Sequence, residues 1–103
     1  MNELNIVPDG VKVRLTKLRD KKNPEVPNNR PIGETRIGYV KSKELIPQKN
    51  KRYFLESVIK KNGKTVHPGN WFVTSDIVGI SGSLIEKEFI IVTLNSMYKL
   101  EIL

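Results

Sequence analysis

The sequence contains no cysteine and only one histidine, His67. Disulfides and thiol chemistry are therefore excluded, as is a zinc site built from cysteine and histidine, and we expect neither a metal nor a cofactor. No apolar run approaches the roughly 20 residues that cross a membrane, and residues 1–10 lack the basic and then apolar order of a signal peptide. We therefore expect a soluble, cytoplasmic protein without a membrane contact.

Residues able to form a catalytic site are also sparse. Ser75, His67 and Asp76 are the only residues that combine a nucleophile, a base and an orienting carboxylate, and His67 lies in a turn sequence. Gly33 and Gly38 lack the Lys-Ser/Thr continuation of a phosphate-binding loop. We expect no catalytic residue and no enzymatic activity.

Positive charge is the most informative property of the composition. The chain has 18 Lys and Arg against 11 Asp and Glu, which gives a net charge of +7. Residues 12–64 carry sixteen of the basic and five of the acidic side chains, whereas the flanking residues are net acidic. Such an asymmetry predicts an anionic partner, although many small proteins carry a solvated basic surface without one.

Strand patterns separated by turn signals run along the chain. Apolar and polar residues alternate over residues 11–16, and aromatic and β-branched residues are enriched over 52–61. In residues 71–80, apolar side chains occur at both odd and even positions, so both faces of a strand here would be buried for part of its length. This predicts the central strand, with a bulge near Ser75 and Asp76. Residues 89–94 and 97–103 predict a hairpin, with Asn95 suited to a left-handed conformation.

These patterns predict a single all-β domain over 1–103. Its size fits a small antiparallel barrel or sandwich of five or six strands, SH3-like or OB-like. The alternative is an α+β domain with one short helix over 40–48, although residues 33–47 favour extended structure. Around 20–31 the proline- and asparagine-rich sequence predicts a mobile loop, either a contact element or simply disordered.

Two local features give sharper structural predictions. Asn62 and Gly63 lie between strand-like runs, and Asn-Gly is the strongest short-range signal for a type I′ hairpin because both positions need positive φ. The hairpin would pair residues 52–61 with 64–67. Four apolar side chains should be mostly buried in the core, and these are Phe54, Trp71, Phe89 and Ile91.

The C-terminal half resembles a pattern found in small uncharacterised phage and mobile-element proteins. The sequences of those proteins contain an aromatic residue, any residue, Thr-Ser, any residue and an aliphatic residue, followed later by Thr, any residue, Asn-Ser, any residue and Tyr. This chain matches the first pattern within residues 71–80 and the second within 93–100. Residues 52–55 resemble the strand that precedes the first pattern. The resemblance implies an origin in a phage or mobile element. It implies no reaction.

The charge pattern predicts a small non-catalytic module that binds nucleic acid or another polyanion. Strand geometry would place Lys12 and Arg14 on one face at about the spacing of successive phosphates. The predicted contact residues are Lys12, Arg14, Lys17, Lys60, Lys61 and Lys64. The alternative is a phage-encoded interaction protein that docks on an acidic host-protein surface. Base stacking requires aromatic residues such as Tyr39, Tyr53 or Trp71 on the basic face, whereas protein docking does not.

Overall fold

The structure, a computed structural model, describes residues 10–20, 32–67 and 69–103. The described residues form nine β-strands and one turn of 3-10 helix, Ser42–Glu44, with no α-helix. The strands are β1 Gly10–Asp20, β2 Thr35–Lys41, β3 Phe54–Leu55, β4 Ser57–Lys61, β5 Lys64–Thr65, β6 Phe72–Val73, β7 Ile77–Ser83, β8 Glu88–Thr93 and β9 Ser96–Ile102. The all-β prediction is confirmed, but the predicted number of five or six strands is wrong, because residues 52–61 and 71–80 each contribute two short strands. The loop predicted around 20–31 lies outside the described residues except for Asp20, which ends β1.

Seven strands form one antiparallel sheet in the order β5-β4-β2-β1-β9-β8-β7, and β3 and β6 form a separate two-stranded sheet. The central strand is therefore β1, and the prediction that residues 71–80 form it is wrong. That segment divides into β6 and the edge strand β7. The division lies at Thr74, whose hydroxyl accepts a hydrogen bond from the Tyr53 N–H at 2.9 Å and donates one to the Ser75 carbonyl at 2.8 Å.

The predicted core is half right. Phe89 and Ile91 are buried, but Trp71 is 62% exposed and Phe54 is 39% exposed. Side chains of a strand alternate between its two faces, so the burial of Phe72 and Leu55 turns their preceding neighbours outward. The buried apolar cluster is Val13, Leu15, Val40, Tyr53, Leu55, Val58, Phe72, Ile77, Phe89, Ile91, Tyr98 and Leu100.

The Asn62–Gly63 hairpin is confirmed, but its strands pair only over residues 60–61 and 64–65, because Phe54–Leu55 pairs with Phe72–Val73 instead. Both residues have positive φ, 52° and 82°, and they join β4 to β5, which pair through Lys61 and Lys64. The turn is also tied to the start of β2, since the Asn62 N–H donates to the Thr35 carbonyl and the Thr35 N–H donates to Asn62 Oδ1, both at 2.9 Å. The tip of this hairpin is therefore held in a defined position relative to the sheet.

Replacing Gly63 by valine should lower the free energy of unfolding by about 1 kcal/mol or more, because a β-branched residue resists positive φ. A Cβ at this position would meet no atom within 4 Å, so the loss comes from backbone strain alone. Gly63→Asn is the control, since asparagine tolerates this conformation. Urea unfolding measures both variants. Equal stability of the valine and asparagine variants would contradict the turn assignment.

The strand predicted within residues 33–47 and the predicted C-terminal hairpin are both present, but each differs in one detail. The strand expected within 33–47 is present as β2, but it is followed by the 3-10 turn rather than by more extended chain. The predicted C-terminal hairpin is present as β8 and β9. Asn95 is not among the described non-glycine residues with positive φ, and the turn is instead held by Thr93, whose hydroxyl accepts from the Ser96 N–H at 3.1 Å.

Among the described residues, no helix is long and apolar enough to cross a membrane.

Candidate functional site

The strand register divides the predicted contact residues between the two faces of the large sheet. Residues directly opposite one another in an antiparallel pair lie on the same face. Arg14 and Lys60 both lie opposite Ile37, and with Lys12 they belong to the outer face. Lys61 lies opposite Arg36, which in turn lies opposite the buried Leu15. Lys61, and Lys64 opposite it, therefore belong to the face that continues into the core.

Lys17 lies on neither exposed surface. It shares its parity along β1 with Val13 and Leu15, so its side chain enters the core face and is only 1% exposed. Its ammonium group forms an ion pair with Asp20. The expectation that Lys17 is a surface contact like Lys12 fails because the residue has the parity of the buried aliphatic residues.

The outer face carries mixed charges. The Arg14 guanidinium lies 3.4 Å from Glu101, and Lys99 bridges Glu101 at 3.9 Å and Glu88 at 3.6 Å. These carboxylates offset part of the positive charge around Arg14. Lys12 lies opposite Tyr39, which places one half-buried aromatic residue on this face.

The opposite face contains a groove of about 420 Å³ beside the β4–β5 hairpin. Its volume falls within the range of sites that bind small molecules. The exposed Trp71 lies in its wall, together with two basic side chains. The residues that line the groove are Arg36, Val58, Lys61, Val66, Asn70, Trp71, Phe72 and Val73.

Arg36 is held in place within this groove from two directions. Its guanidinium lies 4.1 Å from the centroid of the Phe72 ring, the geometry of a cation–π contact. It also forms an ion pair with the buried carboxylate of Glu34, whose second oxygen lies 3.9 Å from the Lys61 ammonium. One buried carboxylate therefore positions both cations that line the groove.

A smaller hollow of about 60 Å³ is lined by Phe54, the ring that contacts Trp71. The Trp71 and Phe54 rings pack edge to face, with centroids 5.9 Å apart, and Phe54 lines this hollow. Beside it, the Tyr53 hydroxyl donates to the Leu45 carbonyl at 2.8 Å. Burial, reinforced by the Glu44 carboxylate, raises the pKa of Tyr53, so the hydroxyl keeps its proton. The other residues lining the hollow are Glu44, Ile46, Pro47, Gln48, Lys51, Arg52 and Tyr53.

The three residues considered as a catalytic set have other contacts. Asp76 lies 3.7 Å from Arg52, and the Ser75 hydroxyl accepts from the Asn95 N–H at 3.3 Å. The carbonyl of His67 accepts from the Asn70 side chain at 2.6 Å. Within residues 10–20, 32–67 and 69–103, no three His, Asp or Glu side chains come together as a metal site would need.

Sequence reasoning missed Arg36, and it placed Trp71 both in the predicted core and among the aromatic residues that could stack on a base. Arg36 was one of many basic residues, and only the pairing of β2 with β1 and β4 places it over Phe72. Trp71 was expected in the core. The adjacent aromatic residues Trp71 and Phe72 did carry a signal, since strand alternation places one of two neighbours outside the core.

No family model, no curated protein and no solved structure matches this chain.

Proposed function

We propose that this protein is a small non-catalytic module that binds nucleic acid through the groove lined by Trp71, Arg36 and Lys61. The observation that carries the proposal is the exposure of the single tryptophan beside two cations on one face. An exposed aromatic ring in a basic groove offers a base a stacking surface and a phosphate a counter-charge.

The arrangement of the cations supports a phosphate contact. Glu34 and Phe72 hold Arg36 at the groove, so little side-chain entropy is lost when its guanidinium engages a ligand. Lys64 pairs with Lys61 at the tip of the hairpin and adds a third positive charge on this face. The net charge of +7 would speed the encounter with a polyanion, and a cytoplasmic location belongs to the same proposal.

We further propose that the two sheets together form a partly open small barrel. Backbone hydrogen bonds support this arrangement at the edge strand β7 and at β4, which lies next to the other edge strand. At β7, the Ile77 N–H donates to the Lys51 carbonyl at 2.9 Å; at β4, the Val58 N–H donates to the Asn70 carbonyl at 2.8 Å. Lys51, which precedes β3, thus contacts β7, and Asn70, which precedes β6, contacts β4. The groove lies at the contact between Asn70 and Val58.

The test is a titration of the native protein against single-stranded and duplex oligonucleotides at two salt concentrations. We expect affinity to fall as salt rises. In K61Q/K64Q, the dependence of log affinity on log salt should weaken by about 1.4 units for a single strand, because each phosphate contact contributes about 0.7. K12Q/R14Q is the matched control, since it removes the same charge from the outer face, and its slope should stay near that of the native protein.

Each other outcome points elsewhere. If K12Q/R14Q loses the salt dependence and K61Q/K64Q keeps it, binding lies on the outer face of the sheet with Lys12, Arg14 and Lys60. If the native protein has no detectable affinity for any oligonucleotide at low salt, the nucleic-acid proposal fails.

Docking on an acidic host-protein surface is the alternative function. Exposed Trp71, which lines the groove together with Arg36, favours it, because Trp and Arg are enriched among the residues that dominate protein interfaces. This function would account for the basic face without oligonucleotide binding. The origin in a phage or mobile element that the sequence resemblance implies stays a prediction.

A further inference from the structure

The groove and the smaller hollow meet at one pair of aromatic rings. Trp71 lines the groove, Phe54 lines the hollow, and the two rings are in edge-to-face contact. Both rings are more than one-third exposed. The two rings therefore form an apolar crossing point between the residues that line the groove and those that line the hollow.

Basic side chains lie on both sides of this crossing point. Arg36 and Lys61 lie on the groove side, and Lys51 and Arg52 line the hollow. Glu44 is the one acidic residue among those that line the hollow, so the side chains of its lining carry a net positive charge. The two concave surfaces thus present the same sign of charge to a ligand that spans them.

Arg52 can change partners at little cost. Its guanidinium lies 3.7 Å from Asp76, and both side chains are more than half exposed. Exposed ion pairs of this kind contribute little to stability because water screens them. A phosphate can therefore replace the Asp76 carboxylate as the partner of Arg52 without weakening the fold.

The two volumes imply different roles for the two surfaces. The groove, at about 420 Å³, is large enough for a small-molecule ligand, whereas the hollow, at about 60 Å³, is far below that range. A base fits the first and not the second. The hollow is suited to a phosphate contact made by Lys51 and Arg52 at its rim.

We infer that the ligand is a single strand of nucleic acid that crosses the Trp71–Phe54 pair, with one base stacked in the groove and a phosphate further along the strand bound by Lys51 and Arg52. The inference rests on the proposed function. It specifies a single strand because the bases of a duplex are stacked on one another and unavailable to Trp71. It also specifies that binding extends over more than one nucleotide.

The experiment compares thymidine oligonucleotides of two, four and eight nucleotides with a GC-rich hairpin duplex that stays paired at low salt, titrated at two salt concentrations. The variants are K51Q/R52Q and the matched K12Q/R14Q, each lacking one lysine and one arginine at exposed or half-exposed positions. Circular dichroism checks that both variants are folded.

We expect native affinity to rise with strand length and to be lower for the duplex. K51Q/R52Q should bind the dinucleotide within about twofold of the native protein and lose about 0.7 units of salt dependence on the octanucleotide, since the contact with one phosphate is removed. K12Q/R14Q should behave as the native protein does at every length.

Three results would overturn the inference. If K51Q/R52Q and K12Q/R14Q bind the octanucleotide alike, no second contact exists, while the groove remains the site. If the duplex binds as tightly as the single strand, a stacked base is excluded. If the native protein binds no oligonucleotide of any length, the proposed function itself has failed, and the inference fails with it.

Discussion

Trp71→Ala should lower the affinity for a single-stranded oligonucleotide by about 5- to 150-fold, which corresponds to the 1–3 kcal/mol that stacking one base contributes. The same substitution should lower the free energy of unfolding by about 1 kcal/mol or less. Trp71 is 62% exposed, and its edge-to-face contact with Phe54 is the main packing that it loses. The large effect is therefore on binding and the small one on stability.

Trp71→Phe is the informative companion, because phenylalanine keeps a ring on which a base can stack and should recover most of the affinity. Trp71 is the only tryptophan, so its fluorescence reports directly on the groove in the native protein. Stacking of a base should quench it during the titration. A variant Trp71→Ala that binds oligonucleotides normally but unfolds several kcal/mol more easily would show that Trp71 serves the core.

Gly38→Ala should destabilise the fold more than any surface change, by about 3 kcal/mol, the upper part of the range for overpacking. An alanine Cβ at Gly38 would lie 2.1 Å from the Ser57 carbonyl oxygen and 3.0 Å from its carbon. Both atoms are backbone, so no side-chain rotation relieves the clash. To accommodate the alanine, β2 and β4 would have to move apart at the point where their register shifts, between Ile37 and Gly38.

Gly79→Ala is the matched control for this prediction. Gly79 also lies at a register shift, between β7 and β8, but an alanine Cβ there would meet only Val92 side-chain atoms, at 3.6 and 3.8 Å. That is ordinary van der Waals contact. Its stability should be unchanged or rise by about 0.4–1 kcal/mol, because alanine restricts the unfolded chain. Chemical denaturation compares the two, and an equal loss in both variants would show that the approach of Ser57 to Gly38 is unimportant.

The parts of the fold that the sequence predicted are those determined by neighbouring residues. The alternation in β1 and the Asn62–Gly63 turn each depend on a few consecutive positions, and both are present. The division of residues 71–80 into β6 and β7 depends on Thr74 bonding to Tyr53, a contact between distant parts of the chain. No local pattern encodes that contact, so the central strand was assigned to the wrong segment.

The candidate site shows the same limit. Lys61 and Lys64 were identified because a hairpin tip places its lysines together. Lys12 and Arg14 were grouped with them by charge, and only the register of β1, β2 and β4 shows that they lie on the other face. The grouping failed because charge is visible in a sequence, whereas strand order is not.

The pairing of β1 with β9 has a consequence during synthesis of the chain. Val13 lies opposite Ile102, so the central strand lacks one of its two partners until nearly all of the described chain has left the ribosome. The β4–β5 and β8–β9 hairpins can each form from contiguous sequence. The pairing of β1 with β9 cannot, because the two strands lie at opposite ends of the described chain. The nascent chain therefore exposes an open edge along β1, next to Val13 and Leu15, and this edge is where we expect association with other chains before folding is complete.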